Sequence, residues 1–323
     1  MRAVVVTEPG GPDQLTIGEV PDPVAGAGEM LIRVVAAGVN RADLLQRQGL
    51  YPPPPGISDV IGLEVSGHVE ALGEGVTGWS VGDEVVALLA GGGYAELAVA
   101  PAGQCCRPPH GVDLVTAAGL LEVAATVVSN LDRVGYRDGE SFLVHGGTGG
   151  IGAFAIQYVA ARGGRVLTTA GSPEKLATCR ALGAHVAIDY HEDWAAAVKD
   201  ATGGKGVDVL LDVMGGKYLE ANVASLARNG RLVVIGLQGG RKGTLDLNAL
   251  LTKNALVTAT SLRFSPVERK TDIVAMVARD VWPMYESGRI ALPAETRFPL
   301  EDVRRAHEWL ESGSASGKAV LVV

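Results

Sequence analysis

The residues with the most specific chemical spacing are three glycines, Gly147, Gly149 and Gly152, in the pattern Gly-x-Gly-x-x-Gly. They follow the apolar run Phe142–Val144, which is typical of a buried strand, and precede a run that is typical of a helix. Without Cβ atoms at this turn, backbone N–H groups and the helix N-terminus can approach a diphosphate. A tight turn without a ligand would use the same glycines, but the flanking strand and helix favour a binding site. The residues expected to hold the diphosphate are Gly147, Thr148, Gly149, Gly150, Ile151 and Gly152.

The end of the next strand indicates which dinucleotide the glycine turn would take. Sites that prefer NADH carry a carboxylate about 20 residues after the glycines, whereas a 2′-phosphate requires donors and cations there. Here Gly171 stands at the strand end without a carboxylate, and Ser172 and Lys175 follow as a donor and a cation. Ser172 also suits a helix N-cap, and the two roles are compatible. The pattern favours NADPH, while Glu174, which lies near the required spacing, is the argument for NADH.

The other reactive side chains form no metal-binding or nucleophile pattern. The adjacent pair Cys105 and Cys106 is a poor disulfide candidate, and Cys179 completes a set of three that lacks Cys-x-x-Cys spacing. The six histidines show no ligand spacing, and His145, beside the glycines, is interpreted as a packing or hydrogen-bonding residue at a strand end. The sequence therefore predicts no metal, no disulfide framework and no reactive thiol.

Two different patterns of apolar residues along the chain predict two domains. Up to residue 121 the apolar runs are short, rich in valine and separated by turn residues, which favours a β-barrel or sandwich. From 122 to 260 apolar strands alternate with amphipathic helical stretches, which predicts a doubly wound parallel sheet. From 261 to 323 the pattern is mixed again and ends in the strand candidate Lys318–Val323, expected to pack on the first domain. A loop that lies on the surface or lines a cleft is expected at Tyr51–Gly56, where four prolines exclude a strand or helix interior.

Charge and hydropathy limit the partners. The chain has 28 basic and 36 acidic residues, a net charge of −8, which argues against a general affinity for nucleic acid or anionic lipid. No uninterrupted apolar segment reaches membrane-spanning length, and the N-terminus lacks the apolar stretch of a signal peptide. We expect a soluble, cytoplasmic protein.

With the glycine turn and the Ser172/Lys175 pair in view, the run Ala37–Gly56 completes a resemblance that extends over the whole chain. The sequence resembles the quinone oxidoreductases, which are zinc-free medium-chain dehydrogenases/reductases. Within them it is most similar to the p53-inducible quinone oxidoreductase branch, which is related to zeta-crystallin. The resemblance implies a Rossmann domain inserted in a GroES-like, β-rich catalytic domain. Such a protein is of the α/β class, as the two patterns of apolar residues also predict.

The resemblance also implies residue roles. Asn40 and Thr126 match positions that border the nicotinamide, and Tyr51 matches a substrate-pocket residue. Asn40 and Tyr51 are the expected catalytic groups, as orienting donors and not as obligatory acids. Further cofactor-binding positions are implied for the adenosine phosphate and the nicotinamide half, namely Gly171, Ser172, Lys175, Tyr190, Gly236, Gln238, Ser261, Leu262 and Arg263. A homodimer through the edge strand, here Ala255–Ala259, is expected.

Two departures from related patterns are visible. Asn40 and Leu63 stand where zinc-dependent alcohol dehydrogenases of the superfamily carry a cysteine and a histidine, so Glu64 alone is left as a possible ligand. The family usually has Pro-Glu before the helix that carries Thr126, whereas this chain has Leu121-Glu122. The second departure leaves the start of that helix open.

The expected function is reduction of quinones by NADPH without a metal. A second possibility is NADPH-dependent reduction of activated alkenes, such as 2-enals or enones. A third, non-enzymatic possibility is a cofactor-sensing or RNA-binding module, against which the net charge argues. The sequence does not decide between one- and two-electron transfer.

Overall fold

The computed structural model describes residues 1–313 and 315–323. Contacts within the chain divide it into two units, Met1–Ala125 with Leu262–Val323 and Thr126–Ser261. The expected boundaries after 121 and 260 lie close to these divisions. The first differs because one continuous helix, Leu121–Arg133, runs across it.

The discontinuous unit, built from both chain ends, is rich in strands. Its strands are β1 Arg2–Val6, β2 Leu15–Glu19, β3 Glu29–Val39, β4 Glu64–Leu72, β5 Glu84–Leu88, β6 Leu97–Pro101, β7 Cys105–Cys106, β14 Glu295–Pro299 and β15 Lys318–Val322. Its helices are α1 Arg41–Arg47, α2 Leu114–Ala117, the start of α3 Leu121–Arg133, α9 Val267–Asp280, α10 Trp282–Glu286 and α11 Val303–Glu311, with short 3-10 turns at Pro12–Gln14, Ala102–Gln104 and Leu300–Asp302.

The main sheet of this unit has the order β14-β15-β3-β4-β5-β7, and β6 also pairs with β3. Strand β15 lies antiparallel to β3, with Ala319 opposite Val39. The C-terminal strand therefore packs on the N-terminal sheet, which confirms the prediction for Lys318–Val323. Valine, leucine and isoleucine side chains from β3, β4 and β5 form the core, together with Leu44 of α1.

The continuous unit contains the parallel sheet. After the end of α3 its elements are β8 Ser141–His145, α4 Gly150–Ala161, β9 Arg165–Ala170, α5 Pro173–Ala181, β10 Val186–Asp189, α6 Trp194–Ala201, β11 Val207–Asp212, a 3-10 turn Gly216–Tyr218, α7 Leu219–Ser225, β12 Leu226–Val234, α8 Leu247–Lys253 and β13 Leu256–Ala259. The strand order is β10-β9-β8-β11-β12-β13 and the pairings among these strands are parallel. This order is that of a doubly wound dinucleotide-binding sheet, so the predicted fold class is confirmed.

One helical stretch of the described chain, Leu114–Arg133, is long and apolar enough to cross a membrane by length and composition alone. Within the structure, 72% of the apolar segment of this stretch is buried. Burial of this kind is what a core helix of a folded domain requires, because its apolar faces pack against other elements.

Candidate functional site

The predicted glycine turn lies between β8 and α4, at the carboxyl end of the central parallel strand. Gly146 has a positive φ of 73°, which starts the turn, and Gly149 is the N-cap of α4. The Gly147 N–H donates to the Thr169 carbonyl of β9 at 3.0 Å, which ties the turn to the neighbouring strand. The N-terminus of this twelve-residue helix therefore opens at the sheet edge where dinucleotides bind in such folds.

The three motif glycines have different surroundings. A Cβ on Gly152 would lie 2.7 Å from the Gly147 Cα and would overlap the Gly146 carbonyl, and one on Gly147 would lie 2.6 Å from the Cys179 sulfur. A Cβ on Gly149 would meet only the Gly146 carbonyl, at 3.5 Å, an ordinary contact. Packing within the protein therefore explains Gly147 and Gly152 but not Gly149, whose bare backbone fits the approach of a ligand.

The residues expected at the adenosine phosphate lie together beyond β9 and β10. The hydroxyl of Tyr190 lies directly over Gly171, where a Cβ would overlap it. Ser172 is the N-cap of α5, and its Oγ accepts from the Lys175 N–H at 3.3 Å. Backbone and Ser172 hydrogen bonds lower the pKa of the exposed Glu174 carboxyl. Ser172 thus has the predicted capping role, and Lys175 lies in the first turn of the helix.

The remaining predicted positions of this unit follow other strands at the same edge. Gly236 and Gln238 come after β12, and the Gln238 N–H donates to the Val213 carbonyl at 3.2 Å, beyond the end of β11. Ser261 follows β13, and Thr126 lies in α3. The carboxyl ends of parallel strands meet at one edge of the sheet, so Gly236, Gln238 and Ser261 share that edge with the glycine turn.

A buried polar network below the glycine turn was only partly predicted from sequence. The His145 side chain, buried at the end of β8, contacts Thr169 Oγ1 through Nδ1 at 3.0 Å and Asn222 Oδ1 through Nε2 at 2.8 Å. Rings of Trp194 and Tyr218 pack edge-on against it, with centroids 4.8 and 4.9 Å away. The predicted packing role of His145 is confirmed, whereas the partner Asn222, 77 residues away, had no local signal.

Burial lowers the pKa of His145 to about 4 from its ordinary 6.5. Because the pKa of His145 is lower in the folded state, its neutral form contributes fully to the stability of the fold above pH 6.5. This contribution is lost as the pH falls towards 4. When the pH is lowered from 7.5 to 5, we expect the unfolding free energy of the wild type to fall by about 2 kcal/mol more than that of His145→Gln. Urea unfolding at both values measures this difference.

His110→Gln, at an exposed site, is the matched control for the substitution itself. Buried His307, whose pKa is lowered to about 3, contributes to the wild-type slope and remains in both variants. An unchanged slope in His145→Gln would contradict the assignment.

In the discontinuous unit, a cluster of buried charged side chains surrounds Asn40. The Lys318 ammonium donates to Glu64 Oε1 and to Asn40 Oδ1, both at 2.6 Å. Asn40 Nδ2 donates to the same Glu64 oxygen at 3.0 Å, and the Glu122 N–H donates to Glu64 Oε2 at 2.9 Å. The exposed fraction is 0% for Glu64 and 4% for Lys318. The sequence predicts Lys318 only as the first residue of a strand and gives no signal for these contacts.

This arrangement also explains the start of α3. The helix begins at Leu121 although the proline usual in related sequences is missing. The Glu64 carboxylate accepts the Glu122 N–H, one of the first-turn donors that a helix cannot satisfy internally. A side chain from β4 therefore takes over the task of fixing the helix start.

A second buried carboxylate stands one helical turn from Asn40. Asp43 Oδ2 accepts from the Asn40 N–H at 2.7 Å and from the Tyr94 hydroxyl at 2.9 Å. Burial raises the pKa of Asp43 to about 6, although these hydrogen bonds and the charge of Lys318 oppose the rise. The side-chain oxygen and nitrogen and the backbone N–H of Asn40 are thus all engaged within the protein.

Tyr51 and Arg263 lie together in the same unit. The Arg263 guanidinium lies 5.2 Å from the Tyr51 ring centroid, and the Phe264 ring meets the Tyr51 ring edge-on at 5.5 Å. Leu262 directly precedes Arg263 where the chain enters this unit again. Tyr51, the predicted substrate residue, therefore contacts Arg263, one of the predicted cofactor residues.

Comparison with known proteins identifies the family. Residues 26–110 match the alcohol dehydrogenase GroES-like domain, and residues 150–279 match the zinc-binding dehydrogenase family. The quinone oxidoreductase of Pseudomonas aeruginosa is 34% identical over 318 residues, which cover 97% of each chain. The chain belongs to the quinone oxidoreductase family. The predicted family is confirmed, and this member of the medium-chain dehydrogenases/reductases is an oxidoreductase.

Solved structures of related proteins agree. A mycobacterial protein complexed with NADPH is 36% identical, covers 100% of both chains and superimposes with a TM-score of 0.91. The Escherichia coli quinone oxidoreductase complexed with NADPH is 27% identical, again over 100% of both chains, with a TM-score of 0.88. Both relatives therefore bind NADPH on the fold that this quinone oxidoreductase family member adopts.

One matching family is described as zinc-binding, but the residues at the corresponding positions do not fit zinc. Glu64 already accepts from the Lys318 ammonium, which an incoming cation would have to displace. Asn40 directs its oxygen to the same ammonium, and Leu63 offers no ligand atom. Over residues 1–313 and 315–323, no three His, Cys, Asp or Glu side chains are grouped to hold a metal. This family member lacks the usual zinc donor set at that position.

Proposed function

We propose that the protein reduces quinones with NADPH and without a metal ion. The observation that carries the proposal is the open backbone at Gly149, at the N-terminus of a helix at the carboxyl edge of the parallel sheet. Relatives named quinone oxidoreductases, two of them from Pseudomonas aeruginosa and Escherichia coli, support the substrate class. The ammonium of Lys318 between Glu64 and Asn40 supports the absence of zinc.

The chain's own groups divide the work as follows. Backbone N–H groups of 147–152 bind the diphosphate, and Ser172, Lys175 and Tyr190 bind the 2′-phosphate. Gly236, Gln238, Ser261 and Leu262 are proposed to contact the nicotinamide half, and Asn40 and Thr126 stay predictions from the family resemblance. When bound, NADPH supplies a hydride from C4 of its nicotinamide. Tyr51 orients the quinone oxygen as a hydrogen-bond donor, and the single proton that, with the hydride, completes reduction to the hydroquinone comes from solvent.

A panel of acceptors tests the proposed activity. NADPH oxidation is measured with a quinone and with an enone, and NADP⁺ reduction with a primary alcohol, each in the presence and absence of a chelator. We expect the quinone to react fastest and the chelator to change nothing, since Asn40, Leu63 and the Lys318-paired Glu64 do not fit zinc. A faster enone reaction would assign the enzyme to activated alkenes, and turnover that the chelator removes would refute metal independence.

Cofactor preference has its own test in Lys175. We expect Lys175→Ala to weaken NADPH binding by about 1.5–3 kcal/mol, the range for a hydrogen bond to a charged group, and to leave NADH binding nearly unchanged. Fluorescence titration with each nucleotide measures both constants. Lys199→Ala, an exposed lysine of α6 in the same unit, is the matched control. Equal losses for the two nucleotides would show that Lys175 does not recognise the 2′-phosphate.

We further propose a homodimer through β13. This strand ends the parallel sheet, and an unpaired edge can add a strand from a second copy. Leu247, Leu251 and Leu256, on and beside this edge, are exposed large apolar residues. Light scattering should give twice the chain mass, and Leu251→Glu should halve it, whereas Leu292→Glu in the other unit should not.

We also propose that the protein works in the cytoplasm. Cys105, Cys106 and Cys179 are free thiols, as is usual in a reducing compartment. Cell fractionation tests this location, and recovery in the membrane or the medium would contradict it.

A further inference from the structure

The side chain of Arg263 is a buried charge that the proposed chemistry does not use. Its exposed fraction is 4%, and burial lowers the pKa of its guanidinium. A buried arginine is costly unless its N–H groups find acceptors, so its partners indicate what it does.

Those partners belong to three separate segments of the same unit. Nε donates to the Ala90 carbonyl at 2.6 Å, Nη1 to the Tyr51 carbonyl at 2.9 Å, and Nη2 to Gln46 Oε1 at 2.7 Å. Each guanidinium nitrogen thus has a protein acceptor. Such a fork of fixed donors suits an arginine that joins backbone segments, and lysine could not reproduce it.

Gln46 extends the arrangement to the far side of the proline-rich loop, residues 51–59. Its Nε2 donates to the Asp59 carbonyl at 3.0 Å, while its Oε1 accepts from Arg263. Arg263 therefore holds the Tyr51 end of the 51–59 loop directly and the Asp59 end through Gln46. The glycine-rich turn of residues 90–93 is held by two further contacts. Its Ala90 carbonyl accepts from Arg263, and its Gly92 N–H donates to the Val60 carbonyl at 2.7 Å.

We propose that Arg263 is a positioning residue that fixes the 51–59 loop, and with it the ring of Tyr51, and so sets the affinity for the quinone. The proposal rests on the proposed function, in which Tyr51 meets the quinone. It differs from the cofactor-binding role expected for Arg263, because the guanidinium nitrogens donate to Ala90, Tyr51 and Gln46 within the protein. Stacking of the guanidinium on the Tyr51 ring at 5.2 Å fixes that ring further.

Hydrogen–deuterium exchange tests the mechanical part without any substrate. In Arg263→Gln we expect the amides of 51–59 to exchange at least about tenfold faster than in the wild type, since loop opening no longer breaks the fork. Gln46→Met, which keeps Arg263 but removes the Asp59 link, should accelerate exchange in the same loop. Arg33→Gln is the matched control, because the exposed Arg33 pairs with Glu70 on the strands. Unchanged exchange in both Arg263→Gln and Gln46→Met would overturn the proposal.

Kinetics at saturating NADPH test the functional part. We expect the quinone KM of Arg263→Gln and Gln46→Met to rise about tenfold with kcat within about twofold, as uniform binding is lost. Arg263→Lys should be intermediate, because it keeps the charge but not the fork. The Kd for NADPH should stay within about twofold of the wild type. An NADPH Kd that rises as far as the quinone KM would instead make Arg263 a cofactor ligand, and an unchanged KM would refute the role in affinity.

The two readouts keep the failures apart. If the wild type did not reduce quinones, the proposed function would fall while the exchange experiment still decided whether Arg263 fixes the loop. If Arg263→Gln did not fold, Gln46→Met would carry both measurements, because it leaves the buried charge in place with two of its three acceptors.

Discussion

Replacement of Lys318 by methionine is expected to lower the free energy of unfolding by about 3–5 kcal/mol, because it leaves a fully buried carboxylate without its counter-charge. Glu64 would keep the N–H of Glu122 and the amide of Asn40, but no cation. Attraction between the two charges offsets their desolvation only while both are present. Urea unfolding at neutral pH measures the loss.

The double variant Lys318→Met with Glu64→Met separates charge pairing from packing. Removing both charges leaves no unpaired ion, so its stability should lie within about 2 kcal/mol of the wild type. Lys199→Met, at an exposed site, should change stability by no more than about 0.5 kcal/mol. If Lys318→Met and the double variant were equally unstable, the ammonium would act by its packing and not by its charge.

The ion pair also marks a limit of prediction from sequence. The predicted strands of the parallel sheet match the structure closely because such strands are buried on both faces and appear as short continuous apolar runs. Phe142–Val144, for instance, is the centre of β8. Glu64 and Lys318 are 254 residues apart, and no periodicity along a chain reports which distant charges will meet. Their pairing is created by β15 joining β3.

Strand lengths show the same division between local and distant information. β12 begins at Leu226, although a continuous apolar run starts only at Leu232, because its first part carries the polar residues Arg228 and Asn229, which give no apolar signal. β3 extends to Val39 through the small residues Ala36, Ala37 and Gly38, which have a weak strand preference. Pairing with β4 and β15 supplies what those residues lack.

In the candidate site, the family resemblance pointed to positions, and the structure shows what several of them contact. Asn40 and Arg263 were expected near the nicotinamide. In the structure the side chain of Asn40 contacts Lys318 and Glu64, and the Arg263 guanidinium donates to Ala90, Tyr51 and Gln46; the expected nicotinamide contacts stay predictions. Side chains that support a site and side chains that touch a ligand occupy the same stretches of sequence, so motif matching does not separate them.

In the glycine turn, substitutions at two positions distinguish a residue that supports the fold from one that admits the ligand. Gly152→Ala is expected to destabilise the fold by about 1–3 kcal/mol, the usual cost of overpacking, since its Cβ would overlap the Gly146 carbonyl. Gly149→Ala should change stability by less than about 1 kcal/mol, because its Cβ meets nothing closer than 3.5 Å and its φ of −73° suits alanine.

Binding should separate them further. A methyl group at Gly149 would stand where the diphosphate must approach the backbone, so we expect NADPH affinity to fall roughly 10- to 150-fold, equivalent to one charge-assisted hydrogen bond of about 1.5–3 kcal/mol. Melting curves and NADPH titrations of both variants measure the two effects. Gly149→Ala with normal stability and normal NADPH affinity would show that the turn does not hold the nucleotide. A stable Gly149→Ala that has lost NADPH would place the diphosphate at this helix N-terminus, because the Cβ meets no described atom closer than the Gly146 carbonyl at 3.5 Å.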